Sequence, residues 1–193
     1  MSSEPPAHWQ RHSDRSLLNT RVFDVRASRF SHPGREDSQK EFFVIDAPNW
    51  VICAPVTATG ELVMVRQFRF GSEQLSWELP GGVSEKGEEP TTTAVRELEE
   101  ETGYQGGPAE VLGWVHPNPA IQSNRAHLVV IPDAKPTGAQ NWDQDEEIEM
   151  AVVPLADVIK RARSGEMTHA LMLNMLFLLE PWWSGRSGSG SGI

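Results

Sequence analysis

The sequence has little cysteine, a deficit of positive charge and no long apolar run. Cys53 is the only cysteine among 193 residues, so an internal disulfide framework is excluded. We expect its thiol to pack within the apolar run WVICAPV rather than to react. The 17 Lys and Arg residues face 27 Asp and Glu residues, which gives a formal net charge of −10. This balance argues against binding to a nucleic-acid backbone, because such binding relies on basic side chains that neutralise phosphates.

Signals for a membrane or for secretion are also absent from this sequence. Its longest apolar run, residues 170–179, is interrupted by Asn174 and is too short to cross a bilayer. Residues 1–15 are polar and contain proline, without the apolar stretch of a signal peptide. Together with the single cysteine, these features predict a cytoplasmic protein that binds neither membranes nor nucleic acid.

Alternating apolar and polar residues predict mostly short strands between two tails. Residues 1–15 are expected to form a disordered tail, 16–183 a single domain, and 184–193, rich in Gly and Ser, a flexible tail. Strands are predicted over 21–30, 41–46, 50–56, 61–70, 75–79, 111–116, 126–131 and 148–153, with a hairpin turn at Thr59-Gly60. Helices are predicted over 90–102, 154–163 and 168–180, with Pro181 beyond the end of the last. This order of elements indicates an α+β (mixed α/β) fold with a mixed sheet.

The predicted helix over 90–102 carries the densest group of carboxylates in the chain. It begins with a proline, which is favourable at a first helical position, and is followed by a glycine, which favours a helix end. At about 100° per residue, Glu97, Glu100 and Glu101 lie on one face, opposite an apolar face. Their like charges repel one another, and a divalent cation with hard oxygen ligands would remove that repulsion. The alternative is an acidic face that is simply solvated.

The spacing of residues around these acids follows one pattern throughout. Gly82 is followed after five residues by Glu88, and after seven more by Arg96-Glu97-Leu98, one residue, Glu100-Glu101, one residue and Gly103. This spacing resembles the Nudix box, G-x5-E-x7-R-E-U-x-E-E-x-G-U, where U is a bulky apolar residue. Every fixed position is filled, and only Tyr104 departs, because it is aromatic rather than aliphatic.

The resemblance to the Nudix family implies a fold, a cofactor and a set of site residues. The implied fold is an α/β/α sandwich around a mixed β-sheet, in agreement with the predicted elements. The implied cofactor is Mg²⁺, or Mn²⁺ in its place. Its implied ligands are the Gly81 carbonyl and the carboxylates of Glu97, Glu100 and Glu101, and these glutamates are also the implied catalytic groups. Arg96 is implied to hold them in position by bracing the loop against the helix.

The segment upstream of the box, VRQFRFGSEQLSWELPGG, resembles the nucleoside-diphosphate-sugar branch of the family, which includes ADP-ribose pyrophosphatases. In that branch an arginine of the Q-x-R segment reaches the substrate phosphates, which indicates Arg69. Strand alternation puts Arg69 on the same face as Gln67 and puts Arg66 on the other. The planar, always charged side chain of Arg69 suits diphosphate oxygens. An aromatic residue of the N-terminal strands stacks on the nucleobase in that branch, which indicates Trp50.

Two segments downstream of the box are further candidates for the site. The segment PNPAIQSNRAH resembles relatives that cleave nucleotide sugars, so Asn118 and Arg125 are expected to contact the sugar end of the substrate. The segment NWDQDEEIE is a second acidic patch ahead of a strand. Related enzymes draw a glutamate from this loop to orient the attacking water or to bind metal. Glu146 is the first candidate for that role, and Glu147 is the alternative.

The resemblance implies hydrolysis of a nucleoside diphosphate linked to another moiety. ADP-ribose or a nucleotide sugar would give a nucleoside monophosphate and a sugar phosphate. A homodimer is also implied, because relatives exchange N-terminal strands. Two alternatives stay open: the same chemistry on a dinucleoside polyphosphate, NADH or an oxidised nucleotide, or a non-catalytic module that senses nucleotide sugars. The complete set of box acids argues against a sensor.

Overall fold

The structure is a computed structural model that describes residues 5–35, 38–138 and 147–188. Contacts between Cα atoms divide the chain into two compact units. The first consists of Met1–Pro48 with Asn118–Asn124, and the second of Asn49–Pro117 with Arg125–Ile193. Residues 16–183 therefore fall into both units, and the single domain expected for them stays a prediction.

The first unit contains three strands, β1 (Gln10–Asn19), β2 (Asp24–Ser31) and β3 (Lys40–Asp46). They form an antiparallel sheet in the order β1-β2-β3. In the turn between β1 and β2, the Thr20 hydroxyl oxygen accepts hydrogen bonds from the backbone N–H groups of Val22 and Phe23. A hydroxyl that satisfies nearby backbone donors is typical of a tight turn.

Strand β1 corrects the prediction of a disordered tail over residues 1–15, because residues 10–15 lie in it. The whole strand is exposed, so its sequence shows none of the apolar alternation that would reveal it. Its order comes from pairing with β2 and from side chains across that pair. The Arg26 guanidinium donates to the Asp14 carboxylate at 3.1 Å, and the Ser28 hydroxyl donates to the same carboxylate at 2.7 Å. These partners are distant in sequence, so a local pattern could not indicate them.

The second unit is built from nine strands and three helices within the described chain. The strands are β4 (Trp50–Pro55), β5 (Glu61–Arg69), β6 (Gln74–Glu78), β7 (Gly81–Val83), β8 (Tyr104–Gln105), β9 (Glu110–Val115), β10 (Ala126–Ile131), β11 (Lys135–Pro136) and β12 (Glu149–Pro154). The helices are α1 (Pro90–Thr102), α2 (Leu155–Arg163) and α3 (Ala170–Gly188). The strands form sheets in the orders β7-β4-β10-β9, β12-β5-β6 and β11-β8. Strand β10 is parallel to β4 and antiparallel to β9, so the prediction of an α+β fold with a mixed sheet is confirmed.

The predicted hairpin between residues 50–56 and 61–70 is wrong as a strand pairing. A bridge between Val56 and Leu62 joins the two segments, but β4 then pairs with β7 and β10 whereas β5 pairs with β6 and β12. Residues 51–55 of β4 are all buried. A strand covered on both faces lies inside a sheet, where its neighbours come from distant parts of the chain.

Apolar side chains cover both faces of the four-stranded sheet. On one face Val51, Cys53, Val129 and Ile131 pack with Ala94 and Leu98 of α1. On the other face Ile52, Ala54, Leu128 and Val130 pack with Met172, Met175 and Leu179 of α3. The alternation of successive residues between these two clusters follows from the two-residue period of a strand. The expected burial of Cys53 is confirmed, and that burial raises the pKa of its thiol.

Helix α3 is longer than the sequence predicts. The prediction ends the helix before Pro181, but the structure continues it through this proline to Gly188. Residues 184–188 of the predicted flexible tail are therefore helical, and residues 189–193 lie outside the described chain. Neither α3 nor any other helix of the described residues is long and apolar enough to span a membrane.

Tertiary packing explains why α3 continues past Pro181. Trp182 and Trp183 pack against the main apolar cluster, and the Trp182 indole N–H donates to the Glu110 carboxylate at 3.1 Å. Proline removes one backbone donor from a helix interior, and the buried surface of two tryptophans offsets that cost. A proline predicts a helix end from local geometry alone, and the packing overrides it.

We predict that Leu179→Ala lowers the free energy of unfolding by about 2–5 kcal/mol, because it opens a cavity where α3 meets the sheet. Leu179 is 0% exposed, whereas Phe177 on the same helix is 77% exposed. Phe177→Ala is therefore the matched control and should change the free energy by less than about 1 kcal/mol. Urea denaturation of both variants measures the difference. Equal losses would mean that α3 does not pack as described.

Candidate active site

Local sequence sets both ends of α1, the helix that carries the box acids. Its bounds, Pro90–Thr102, are those predicted. Gly103 has a φ of 69°, and its N–H donates to the Glu99 carbonyl at 2.8 Å. A left-handed residue closes a helix in this way, and glycine adopts that conformation without a steric penalty. Buried Ala94 and Leu98 fix which face of α1 meets the sheet.

Arg96 joins the loop before α1 to the acidic face of the helix. Its Nε and Nη2 atoms donate to the two carboxylate oxygens of Glu88 at 3.1 and 3.2 Å, and Nη2 also donates to the Val83 carbonyl at 3.2 Å. Its Nη1 atom donates to Glu97 at 2.7 Å and to Glu100 at 3.0 Å. One guanidinium nitrogen thus holds the carboxylates of Glu97 and Glu100 beside each other.

The pKa of Glu88 records the strength of this arrangement. Hydrogen bonds from Arg96, and then from the Glu85 backbone N–H, hold the pKa of Glu88 at about 2 against an ordinary value of 4.5. The same carboxylates raise the pKa of Arg96. Glu88 therefore carries its negative charge throughout the neutral range, and the loop and the helix stay tied together.

Strand β7 passes directly against two of the box acids. A Cβ atom at Gly82 would collide with the Glu97 carboxylate, so a side chain at this position would displace that acid. The Gly81 N–H donates to Oε2 of Glu101 at 3.1 Å. Glu101 is only 4% exposed, although the helical spacing puts it on one face with Glu97 and Glu100. The backbone of β7 comes close enough to cover it.

The chemistry of this group fits a divalent cation. The carboxylates of Glu97, Glu100 and Glu101 and the Gly81 carbonyl are hard oxygen donors, which suit Mg²⁺ or Mn²⁺. Contact with Gly82 and Gly81 keeps two of the carboxylates at one stretch of backbone. Within the described ranges no three Asp, Glu, His or Cys side chains already converge as a ligand set, and the Arg96 guanidinium lies between Glu97 and Glu100.

A cavity of about 590 Å³ opens at the same stretch of backbone. Its lining includes Trp50, Arg69, Glu78, Gly81, Gly82, Val83, Thr168 and His169. Gly81 and Gly82, which contact Glu101 and Glu97, thus also form part of the cavity lining. The volume is within the range of small-molecule sites.

The predicted phosphate contact, Arg69, lines the cavity as one half of an ion pair. Its Nε donates to Oε1 and Oε2 of Glu78 at 2.9 and 3.1 Å, and its Nη2 donates to Oε2 at 2.5 Å. The Glu78 side chain is 1% exposed and that of Arg69 is 40% exposed. Arg66 lies on the opposite face of β5, as the alternation predicts, and its Nη1 donates to Glu149 at 3.2 Å.

Neither Glu78 nor His169 is among the residues that the sequence singles out. Glu78 stands in SWELPGG, immediately before the box, and its position next to a matched motif is the one available signal. His169 stands 91 residues further along the chain, and no motif there points to it. Their side chains meet at 3.8 Å, between Nε2 of His169 and Oε2 of Glu78.

The other predicted site residues differ in where they lie. Trp50 lines the cavity and also packs against the main apolar cluster. The Arg125 guanidinium instead stacks on the Trp114 ring at 4.2 Å from its centroid. Asn118 belongs to the first unit, where its carbonyl accepts the Gln122 N–H at 2.8 Å.

The acidic loop after β11 contributes little to the described structure. Glu146 lies outside the described residues. The alternative candidate, Glu147, is exposed, and Ile148 after it is buried. The choice between the two glutamates stays open.

Two known proteins are similar to this chain over most of their length. An ADP-ribose pyrophosphatase of Bacillus subtilis is 32% identical over 155 residues, which cover 80% of this chain and 83% of that protein. A methanol dehydrogenase activator of Bacillus methanolicus is 31% identical over 145 residues, which cover 75% of this chain and 77% of that protein.

A solved structure and a family model are also similar to this chain. A crystal structure of an ADP compounds hydrolase has the same fold, with a TM-score of 0.81 at 21% identity over 95% of this chain and 98% of that one. The model of the NUDIX domain family matches residues 47–172. This match spans more than half of the chain and includes the helix, the glycine loop and the cavity residues described above. The chain therefore belongs to the Nudix hydrolase family.

Proposed function

We propose that this protein is a Mg²⁺-dependent pyrophosphatase that hydrolyses the diphosphate linkage of ADP-ribose or of a nucleoside diphosphate sugar. The products would be a nucleoside monophosphate and a sugar phosphate. One observation carries the proposal: Gly81 and Gly82 contact the acids of α1 and also line the cavity that contains Arg69. These contacts support a site at which anion-binding and cation-binding groups would act together. The ADP-ribose pyrophosphatase of Bacillus subtilis, a relative of similar length, supports the choice of substrate.

Arg69 would bind the diphosphate. Its Nε edge and one Nη2 hydrogen bond are directed at Glu78, which fixes the plane of the guanidinium. A donor that is already oriented loses less conformational entropy when the substrate binds. The buried Glu78 carboxylate is neutralised by Arg69, so it does not repel the substrate as an uncompensated charge would.

The metal would be held by the Gly81 carbonyl and by Glu97, Glu100 and Glu101. Nudix hydrolases generally need divalent metal ions, and the oxygen donors favour Mg²⁺, with Mn²⁺ as the substitute. The bound ion would neutralise the charge that develops on the diphosphate oxygens. Arg96 would hold Glu97 and Glu100 side by side for this purpose.

Water would attack one phosphorus atom, and the bond from that phosphorus to the bridging oxygen would break. Glu146, or Glu147 in its place, would orient the water. Trp50 would contact the nucleobase, which its position in the cavity lining supports. Asn118 and Arg125 would contact the sugar end.

A homodimer in the cytoplasm completes the proposal. Strand β1 supports the dimer, because it is exposed along its length and lies at the edge of its sheet. An unpaired strand edge is a surface on which another chain can pair.

The turnover of ADP-ribose tests the activity itself. With Mg²⁺ and ADP-ribose we expect release of AMP and ribose 5-phosphate, and we expect Glu101→Gln to lower kcat about 100-fold or more through loss of a charged metal ligand. The glutamine oxygen can still accept the Gly81 N–H, so the fold should survive. Glu99→Gln is the matched control, because Glu99 is exposed on the same helix and bonds Gln105. Substrate binding without product, or near wild-type turnover by Glu101→Gln, would contradict the proposal.

A separate prediction concerns Arg69. Arg69→Lys should raise KM for ADP-ribose about 10-fold or more, because a lysine keeps a charge beside Glu78 but cannot present a planar fork to the diphosphate. Arg66→Lys, on the opposite face of β5, should leave KM within about 2-fold. Steady-state kinetics and thermal unfolding of both variants separate binding from stability. A similar KM for the two variants would remove Arg69 from the site.

The low pKa of Glu88 leads to a prediction about stability. This pKa is about 2 in the folded protein against an ordinary value of 4.5, so the contact with Arg96 contributes stability that is fully present above pH 4.5 and is lost as the pH falls toward 2. The wild-type protein should therefore be more stable than Glu88→Gln at pH 7, and the difference should shrink in acid. Urea denaturation from pH 7 to pH 2.5 measures it. A difference that does not change with pH would contradict this assignment.

A further inference from the structure

His169 lines the proposed substrate cavity, and the proposed mechanism gives it no role. It lies immediately before α3, and its side chain is 25% exposed. The cavity lining also contains Arg69 and Glu78, so His169 faces the groups proposed to bind the diphosphate. A titratable ring at this position has the chemistry to contact an anion.

The contact at Nδ1 determines which nitrogen of the ring carries the proton. The Met172 backbone N–H donates to Nδ1 of His169 at 3.3 Å. Nδ1 is therefore an acceptor, and in the neutral ring the proton resides on Nε2. The same bond satisfies one of the unpaired N–H groups in the first turn of α3, so His169 also acts as a helix cap.

The Nε2 atom points toward Glu78 without forming a hydrogen bond to it. Its distance to Oε2 of Glu78 is 3.8 Å, which is beyond hydrogen-bond range. The same oxygen already accepts a hydrogen bond from Nη2 of Arg69. His169 and Arg69 thus flank one carboxylate oxygen, and an anion in contact with Arg69 comes within reach of Nε2–H.

The surroundings of His169 favour the neutral ring. Burial lowers the pKa of His169, Glu78 acts to raise it, and Arg69 acts to lower it, with a net shift downward. Protonation at Nδ1 would also break the bond from Met172. At neutral pH the cavity therefore contains an uncharged N–H donor whose direction is fixed from the other side of the ring.

We propose that His169 is a substrate-binding residue whose Nε2–H donates a hydrogen bond to an anionic oxygen of the diphosphate. This inference rests on the proposed function, because it takes the diphosphate on Arg69 as its acceptor. Arg69 and His169, which flank one oxygen of Glu78, would then both donate hydrogen bonds to the anion.

Two substitutions separate substrate binding from helix capping. Asparagine is a good helix cap and can accept the Met172 N–H, but its short side chain does not reach the position of Nε2. Glutamine extends an amide N–H toward that position and lacks the short-range cap. His169→Asn therefore keeps the helix cap and removes the N–H donor to the substrate. His169→Gln keeps a donor near the position of Nε2 and removes the helix cap.

The test measures kcat and KM for ADP-ribose with Mg²⁺, the Kd for ADP-ribose with Mg²⁺ omitted, and thermal unfolding. We expect His169→Asn to raise KM and Kd about 10-fold or more, the effect of a lost hydrogen bond to a charged group, at an unchanged unfolding midpoint. His169→Gln should recover part of this loss in KM and Kd while its unfolding midpoint falls. The Asn variant would then be the more stable and the Gln variant the tighter binder, which is expected only if His169 contacts the substrate.

The outcomes also distinguish the two proposals. If the wild-type protein cleaves ADP-ribose and His169→Asn has the same KM as the wild type, the role of His169 is overturned and the proposed function stays intact. If the wild-type protein binds ADP-ribose but does not cleave it, the proposed function is overturned. The Kd values of the variants would still test the role of His169. A wild-type protein that neither binds nor cleaves ADP-ribose overturns both. Parallel losses of affinity and stability in the two variants would assign His169 to capping alone.

Discussion

The hydrogen bonds of Arg96 are the interaction on which the rest of the site depends. A chain with a net charge of −10 gathers Glu97, Glu100 and Glu101 on one face of α1, where like charges repel. The guanidinium of Arg96 contacts Glu88 in the loop and Glu97 and Glu100 on α1. It therefore neutralises part of the cluster and holds the loop against the helix at the same time. Strand β7, which precedes this loop in the chain, is held against α1 as a result.

Backbone proximity links the acids to the cavity. Gly82 leaves room for the Glu97 carboxylate, and the Gly81 N–H contacts Glu101. Both glycines also line the cavity beside Arg69. The carboxylates thus reach this short strand from α1, and the Arg69 guanidinium of β5 lines the same cavity as the strand. A side chain at Gly82 would displace the Glu97 carboxylate from this position.

Local features of the sequence predicted helix α1 and the motif. The features that the sequence did not predict depend on long-range contacts. A proline and a glycine mark the ends of α1 within the helix itself, so its bounds follow from neighbouring residues. The burial of Glu101 depends on β7, and the pairing of β1 depends on β2. Pro181 stays helical because Trp182 and Trp183 pack on a distant core. His169 meets Glu78 only through the fold, so no spacing in the sequence could join them.

The parallel pairing of β4 with β10 sets the order in which the site can assemble during folding. The glycine loop, α1 and Arg69 all lie between these two strands in the sequence. A parallel pair forms only after the intervening chain has closed a long loop, which is slow compared with the formation of local contacts. The apolar face of α1 packs against residues of both strands. The contacts of α1 with β10 therefore form late, and a nascent chain that has not yet reached β10 carries the complete box without the full apolar core beneath α1.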